Sequence, residues 1–131
     1  MNRIRTTFLV SVGVLLLFTS PAFAQDKACL MEGISSFDFK EKKTKVEDCY
    51  QNNGVTRAQF KEICSGITQV ETGMFSEPPT KITYMATCPS QSQGSCEKIY
   101  GQPVTRYHYK YDAKTLPGAK IACQSDGGKW K

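Results

Sequence analysis

Chemistry and recognition are most concentrated in one stretch, Thr105-Arg106-Tyr107-His108-Tyr109-Lys110-Tyr111-Asp112. Strand spacing would place Tyr107, Tyr109 and Tyr111 on one face and Arg106, His108 and Lys110 on the other. An exposed tyrosine ladder can stack on sugars or on a protein, because each ring offers a large contact area with a polar tip. The basic face can meet phosphate or carboxylate groups. These six residues, Arg106 to Tyr111, are the candidate binding residues. The competing expectation is an ordinary half-buried strand, with tyrosines packed on helices and the basic face in water.

His108 is the only histidine. It can act as a general base if a carboxylate orients it and a nucleophile lies beside it. The sequence marks no such nucleophile. Glu47-Asp48 is the tightest carboxylate pair, but it falls in a segment that reads as helix, where adjacent residues do not face each other. Glu41, Glu47, Glu62, Glu71, Glu77 and Glu97 are scattered among lysines and read as surface. No nucleophile elbow, zinc-protease helix, P-loop or dinucleotide fingerprint is present. No catalytic residue, cofactor or metal is therefore expected.

All six cysteines follow the first 28 residues: Cys29, Cys49, Cys64, Cys88, Cys96 and Cys123. An even count without any C-x-x-C, beside a single histidine, reads as a disulfide framework and not as a zinc site. Many pairings are open. The preferred one is sequential, Cys29–Cys49, Cys64–Cys88 and Cys96–Cys123, so that each bridge ties a local unit.

The compartment follows from residues 1–24. Arg3 and Arg5 form a basic start, and Phe8 to Phe18 is an apolar run. That run is shorter than the about 20 residues a membrane-spanning helix needs. Pro21 and Ala22-Phe23-Ala24 complete a signal-peptide layout, with cleavage before Gln25. The residues before Cys29, Asp26-Lys27-Ala28, do not suit lipid attachment. Residues 25–131 then form a single domain. The whole chain carries a formal charge of +5. Loss of Arg3 and Arg5 leaves it mildly basic, too mildly to argue for nucleic acid. No later stretch is apolar enough for stable membrane insertion, so the expected location is periplasmic or secreted.

Two helices are expected near the N-terminus to position these residues. The first runs from Phe39 to Gln51, after the capping-box-like Asp38-Phe39-Lys40-Glu41. Its lysines, Lys40, Lys42, Lys43 and Lys45, give it a basic face. The second follows Thr56-Arg57-Ala58-Gln59, with Val55 and Phe60 as a hydrophobic staple and Phe60, Ile63, Cys64 and Ile67 inward. Strands are expected over 68–75, 80–88, 95–100 and 104–111, as a three- to four-stranded antiparallel meander. A C-terminal helix is expected over 116–125, capped by Thr115 and ended by Asp126-Gly127-Gly128. The parallel between Cys49-Tyr50-Gln51-Asn52-Asn53-Gly54 and Cys123-Gln124-Ser125-Asp126-Gly127-Gly128 suggests a degenerate repeat over 29–64 and 88–131. Trp130 can fold back onto the core, cover a disulfide or serve as an exposed anchor.

Cys88-Pro89, Cys96, the Tyr-rich strand, Ala122-Cys123 and Gly127-Gly128-Lys129-Trp130 together resemble a group of small secreted or periplasmic bacterial proteins rich in cysteine. Their shared pattern is CP…C…YxY…AC…GGxW, and the resemblance covers 88–131. It implies an extracytoplasmic bacterial protein and carries no catalytic residue across. The expected fold is α+β, a small disulfide-stapled domain with two N-terminal helices, the meander sheet and the C-terminal helix. The expected function is a noncatalytic binding or interaction module for a protein, peptide or envelope polymer. The alternatives are a small extracytoplasmic hydrolase using His108, or a structural envelope component.

Overall fold

The computed structural model describes residues 26–35, 44–69 and 81–131. Six strands form one antiparallel sheet: β1 (Ala28–Ser35), β2 (Thr44–Asn52), β3 (Lys81–Met85), β4 (Gly94–Glu97), β5 (Val104–Tyr109) and β6 (Lys129–Trp130). Their spatial order is β3-β1-β2-β5-β4-β6. Helix α1 (Arg57–Gln69) lies between β2 and β3 in the chain, and α2 (Leu116–Ser125) lies between β5 and β6. The expected layout of two N-terminal helices and a three- to four-stranded meander is therefore corrected. The sheet is wider, its order β3-β1-β2-β5-β4-β6 is not that of a meander, and among the described residues one helix, α1, precedes the later strands. Among the described residues, no helix is long and apolar enough to cross a membrane.

The largest correction concerns Phe39–Gln51. Residues 36–43 lie outside the described residues, and the rest of this span is β2, not helix. Its burial has period two. Val46, Asp48 and Tyr50 are all buried on one face, and Cys49 is buried on the other. β2 pairs with β1 on one side and β5 on the other. A strand paired on both sides must satisfy both faces, and tertiary context of that kind overrides helix propensity.

Cross-strand register arranges the helix-side face in rows. Tyr84, Cys29, Tyr50, Arg106, Cys96 and Trp130 follow one another across all six strands. The neighbouring row is Ile82, Met31, Asp48, His108 and Gly94. Both helices attach to the first row, α1 through Cys29–Cys64 and α2 through Cys96–Cys123. Phe60, Cys64 and Ile67 of α1 join Cys29, Met31 and Tyr50 in the main core. The opposite face carries Cys49, which bridges Cys88 in the loop after β3.

Two of the expected bridges are thus replaced, and the reason is geometric. Cys29 faces Tyr50 across the ladder, whereas Cys49 faces Leu30. Successive residues of a strand point to opposite faces. Cys29 and Cys49 therefore lie on opposite sides of the sheet and cannot meet. The same holds for Cys64, under α1, and Cys88, on the far face. The bridges are Cys29–Cys64, Cys49–Cys88 and Cys96–Cys123. Of the two bridges that a degenerate repeat would make equivalent, Cys96–Cys123 is formed and Cys29–Cys49 is not.

Helix α1 begins with a reciprocal capping box. The Gln59 amide donates to Thr56 Oγ1 at 3.2 Å, and the Thr56 amide donates to Gln59 Oε1 at 3.0 Å. At α2 the cap differs from expectation. Thr115 makes no capping bond to the helix. Asp112 Oδ1 instead accepts from the Thr115 and Lys114 amides, at 2.8 and 3.0 Å. α2 closes through Gly127, whose φ of +74° suits glycine. Gly128 follows, where any Cβ would collide with Cys96 Sγ. The expected strand over 68–75 falls partly in α1 and otherwise outside the described residues.

Non-reducing peptide mapping should return the three bridges named above. A peptide joining Cys29 to Cys49 would contradict the two-faced sheet.

Candidate functional site

The site is built from the residue that strand β2 places at the centre of the sheet. Asp48 is fully buried. Its row partner His108 is 1% exposed, and Arg106, one position along β5 on the same face, is 5% exposed. Arg106 donates to Asp48 Oδ2 from Nε at 3.2 Å and from Nη2 at 2.5 Å. His108 Nδ1 lies 2.8 Å from Asp48 Oδ1. The Tyr111 hydroxyl donates to the same carboxylate, at 3.0 and 3.1 Å from its two oxygens. Arg106 also sits over the Tyr50 ring, 5.3 Å from its centroid.

Tyr111 reaches this face through a local break in the strand. Lys110 has a φ of +60°. A non-glycine residue in the left-handed region interrupts alternation, so Tyr111 turns to the helix side and Lys110 turns outward to pair with Glu47. Gln93 holds the displaced chain: its Oε1 accepts from the Tyr111 amide and its Nε2 donates to the Tyr111 carbonyl, both at 2.7 Å.

The candidate binding strand is consequently distributed over two sides. Arg106, His108 and Tyr111 lie inside, under the helices. Tyr109 is 9% exposed on the far face, where its hydroxyl donates to the Pro89 carbonyl at 2.5 Å. Tyr107 is half-buried beside it, and Lys110 is exposed. The basic face, expected in water, is the one that packs against the core.

Electrostatics explains how an ion is tolerated here. Burial pushes the Asp48 carboxyl up, but the Arg106 guanidinium and the His108 hydrogen bond outweigh it and hold the group below the usual carboxylate range. Burial works against the Arg106 charge, and Asp48 more than restores it, so Arg106 binds its proton still more firmly than usual. Burial, reinforced by Asp48, pushes the Tyr111 phenol well above its ordinary range. Tyr50 is raised mainly by burial.

The ionised carboxylate can only accept, so the His108 proton is assigned to Nδ1. In the neutral ring Nε2 is then a bare lone pair, buried and, among the described residues, without a hydrogen-bond partner. The Trp130 ring stacks on the imidazole at 5.2 Å between centroids, and Tyr111 meets it edge-on at 5.3 Å. Gly94 makes room for this, because a Cβ there would run into the Trp130 ring. Trp130 therefore folds back, one of the placements expected for it.

An Asp–His pair of this geometry is the orienting half of a nucleophilic triad. The other half is missing from the described residues. No hydroxyl or thiol is bonded to Nε2, every cysteine is in a bridge, and His108 has almost no solvent contact. No group of three or more His, Cys, Asp and Glu among the described residues is arranged to hold a metal ion. What the cluster does is cross-link β2, β5, the Tyr111 turn and the C-terminal strand. Comparison of the chain with protein families, curated proteins and solved structures finds no match.

The sequence offers Asp48 only as half of the Glu47-Asp48 pair, because its segment reads as a helix and hides the face it shares with Val46 and Tyr50. The available signal was the alternation Val46, Asp48, Tyr50, with a lone carboxylate among apolar residues. Tyr100 was also missed as a feature, being placed at the end of a strand. It lies in a short 3-10 turn, Ile99–Gly101, between β4 and β5.

Asp48→Asn leaves the buried guanidinium without its counter-charge and should destabilise the fold by about 3–5 kcal/mol, read from urea unfolding at neutral pH. The pH dependence has a definite sign. Because the folded Asp48 carboxyl is depressed, its contribution is present above the ordinary carboxylate value of 3.8 and is lost as pH falls below it. Tyr111 and Tyr50 are raised, so their contribution is present below an ordinary phenol value of 10.0 and is lost above it. Tyr111→Phe should flatten the alkaline limb of stability against pH and leave the acid limb in place. An unchanged alkaline limb would show that the phenol is not buried as described.

Proposed function

We propose that this protein is a noncatalytic, periplasmic or secreted binding module that presents a rigid tyrosine-bearing turn to a protein or peptide partner. The observation carrying this reading is Tyr100. It is 59% exposed, yet its backbone is left-handed, with φ 52° and ψ 26°. Lys98 and Gly101 on either side also have positive φ, 54° and 70°. A non-glycine residue held there costs of order 1–3 kcal/mol, and such strain persists only where the surroundings enforce it.

The surroundings do so. Ile99 is buried beneath the turn. The Gly101 amide donates to the Lys98 carbonyl at 3.0 Å, and the Tyr100 amide donates to the Asp126 carbonyl at 3.2 Å. Cys96–Cys123 ties β4 to α2 just beside it. An aromatic fixed in this way loses little freedom on binding, the property that makes tyrosine an effective anchor. Beside it lies a shallow groove of about 430 Å³ lined by Val55, Gln59, Glu62, Ile63, Tyr100 and Gln102. Its lining of apolar and amide groups with one carboxylate, Glu62, suits a peptide surface better than an anionic polymer.

The sealed Asp48–His108 pair supports the noncatalytic half of the reading. Three disulfides suit an oxidising compartment. Together with the leader-like residues 1–24, they support the extracytoplasmic half.

The test is a photo-crosslinking residue placed at Tyr100, with a second at Gln124 on the exposed side of α2 as control. In the native envelope the Tyr100 position should trap a defined partner. Excess unlabelled protein should compete, and the Tyr100→Ala protein should compete about tenfold or more weakly. Equal trapping at Gln124, or equal competition by Tyr100→Ala, would remove this reading.

A further inference from the structure

We propose that the C-terminal strap, residues 129–131, is an acid-operated cover, released when His108 takes up a proton. The chain has one histidine and one tryptophan, and the fold stacks them on each other. Nothing in the proposed binding role of Tyr100 requires that contact.

The groups facing His108 come from every side. Asp48 of β2 accepts from Nδ1. Arg106, on the same strand, shares that carboxylate. The Tyr111 hydroxyl also spends itself on Asp48. Tyr50 lies beyond Arg106. Gly94 of β4 and Trp130 of β6 present no charge, and α2 contributes the apolar Ala119 and Leu116 to the cluster beside Trp130. The strap has two charged side chains, Lys129 and Lys131; Lys129 is exposed, and Lys131 pairs with Glu97.

In the closed form Asp48 and Arg106 balance each other, so a neutral His108 leaves the site neutral. Protonation adds a charge and an Nε2–H, and among the described residues Nε2 has no partner. A buried donor without an acceptor carries its full desolvation penalty. Asp48 meanwhile attracts the imidazolium. The two demands are met together only if water reaches Nε2 while Nδ1 keeps its carboxylate.

The element that can yield is the strap. Strand β6 is two residues long and sits at the sheet edge. Its outermost hold on β4 is a reciprocal pair of backbone bonds between Ser95 and Lys131, both 2.9 Å. Cys96–Cys123 secures the chain only as far as Cys123. The other neighbours of His108 named above belong to paired strands, to α2 or to the Gln93-held turn. Opening would uncover Trp130 and free the β4 edge, without disturbing the three bridges.

The disulfide-bonded protein is titrated from neutral to acid pH. Trp130 emission should shift to the red and become more accessible to acrylamide as pH falls, while far-UV circular dichroism stays constant. His108→Gln, which cannot take up the proton, should abolish the shift. Should that variant fail to fold, hydrogen-exchange protection factors of the wild type decide. Protection of the Ser95 and Lys131 amides should drop at low pH while that of β1 and β2 holds. A constant emission maximum overturns the proposal, as does a fall in intensity with unchanged accessibility and strap protection. So does a His108→Gln protein that shifts like the wild type.

Discussion

The Asp48 carboxylate lies in the middle of the sheet with no contact to solvent. Withdrawing such a charge from water costs several kcal/mol, and only excellent geometry with fully occupied lone pairs recovers it. Here both oxygens are engaged, by a guanidinium, an imidazole and a phenol. Each donor comes with structural conditions. Arg106 and His108 must share one face of β5, and that face must lie beside Asp48 in register. A slip of one residue between β2 and β5 would oppose the wrong faces and leave the ion unpaired. Tyr111 must leave the strand alternation, which is what the left-handed Lys110 achieves. The buried ion thus fixes a register that apolar packing alone would leave less sharply defined.

Elements whose signal is local were legible in the sequence. Helix α1 announces itself through Thr56 and Gln59, and those residues make the capping bonds their spacing implies. Helix α2 spans Leu116–Ser125, the range expected from its pattern and its glycine stop. β2 was not legible, because its evidence is non-local. Lysines and a capping-box-like start favour a helix, and the strand is justified only by partners on both sides. The disulfide pairing failed for the same reason. Choosing between Cys29–Cys49 and Cys29–Cys64 requires knowing that Cys29 and Cys49 face opposite ways, and that knowledge begins with β2.

The strand 104–111 shows how a correct periodicity can still give the wrong interior. Arg106 and His108 do alternate with Tyr107 and Tyr109. Hydrophobicity then argues for burying the tyrosines and hydrating the cations. The fold instead buries Arg106 and His108, because Asp48 is waiting on the helix side, and leaves Lys110 outside; a charge with an ideal partner is not a solvent-seeking group. Tyr109 stays covered on its own face by the loop that Cys49–Cys88 ties down. Two faces of one strand are buried for two different reasons, one electrostatic and one covalent.

The residues that stood out most as a pattern turn out to serve construction. Cys96 and Cys123 form a bridge, and Gly128 leaves space for its sulfurs. Gly127 supplies a left-handed helix end. Trp130 packs over Gly94 and His108. Pro89 offers its carbonyl to Tyr109. Residues bound this tightly into the interior have no freedom to meet a ligand. A recognition surface on this scaffold has to be sought where the interior does not dictate the side chain. Tyr100 meets that condition: its backbone is held by the fold, and its ring, whose hydroxyl bonds to the Asp126 side chain, stays largely exposed. The separation is physically sensible in a small domain. Bridges and the buried ion fix the backbone, and a turn such as Ile99–Gly101 can then hold a strained, exposed aromatic without giving up order elsewhere.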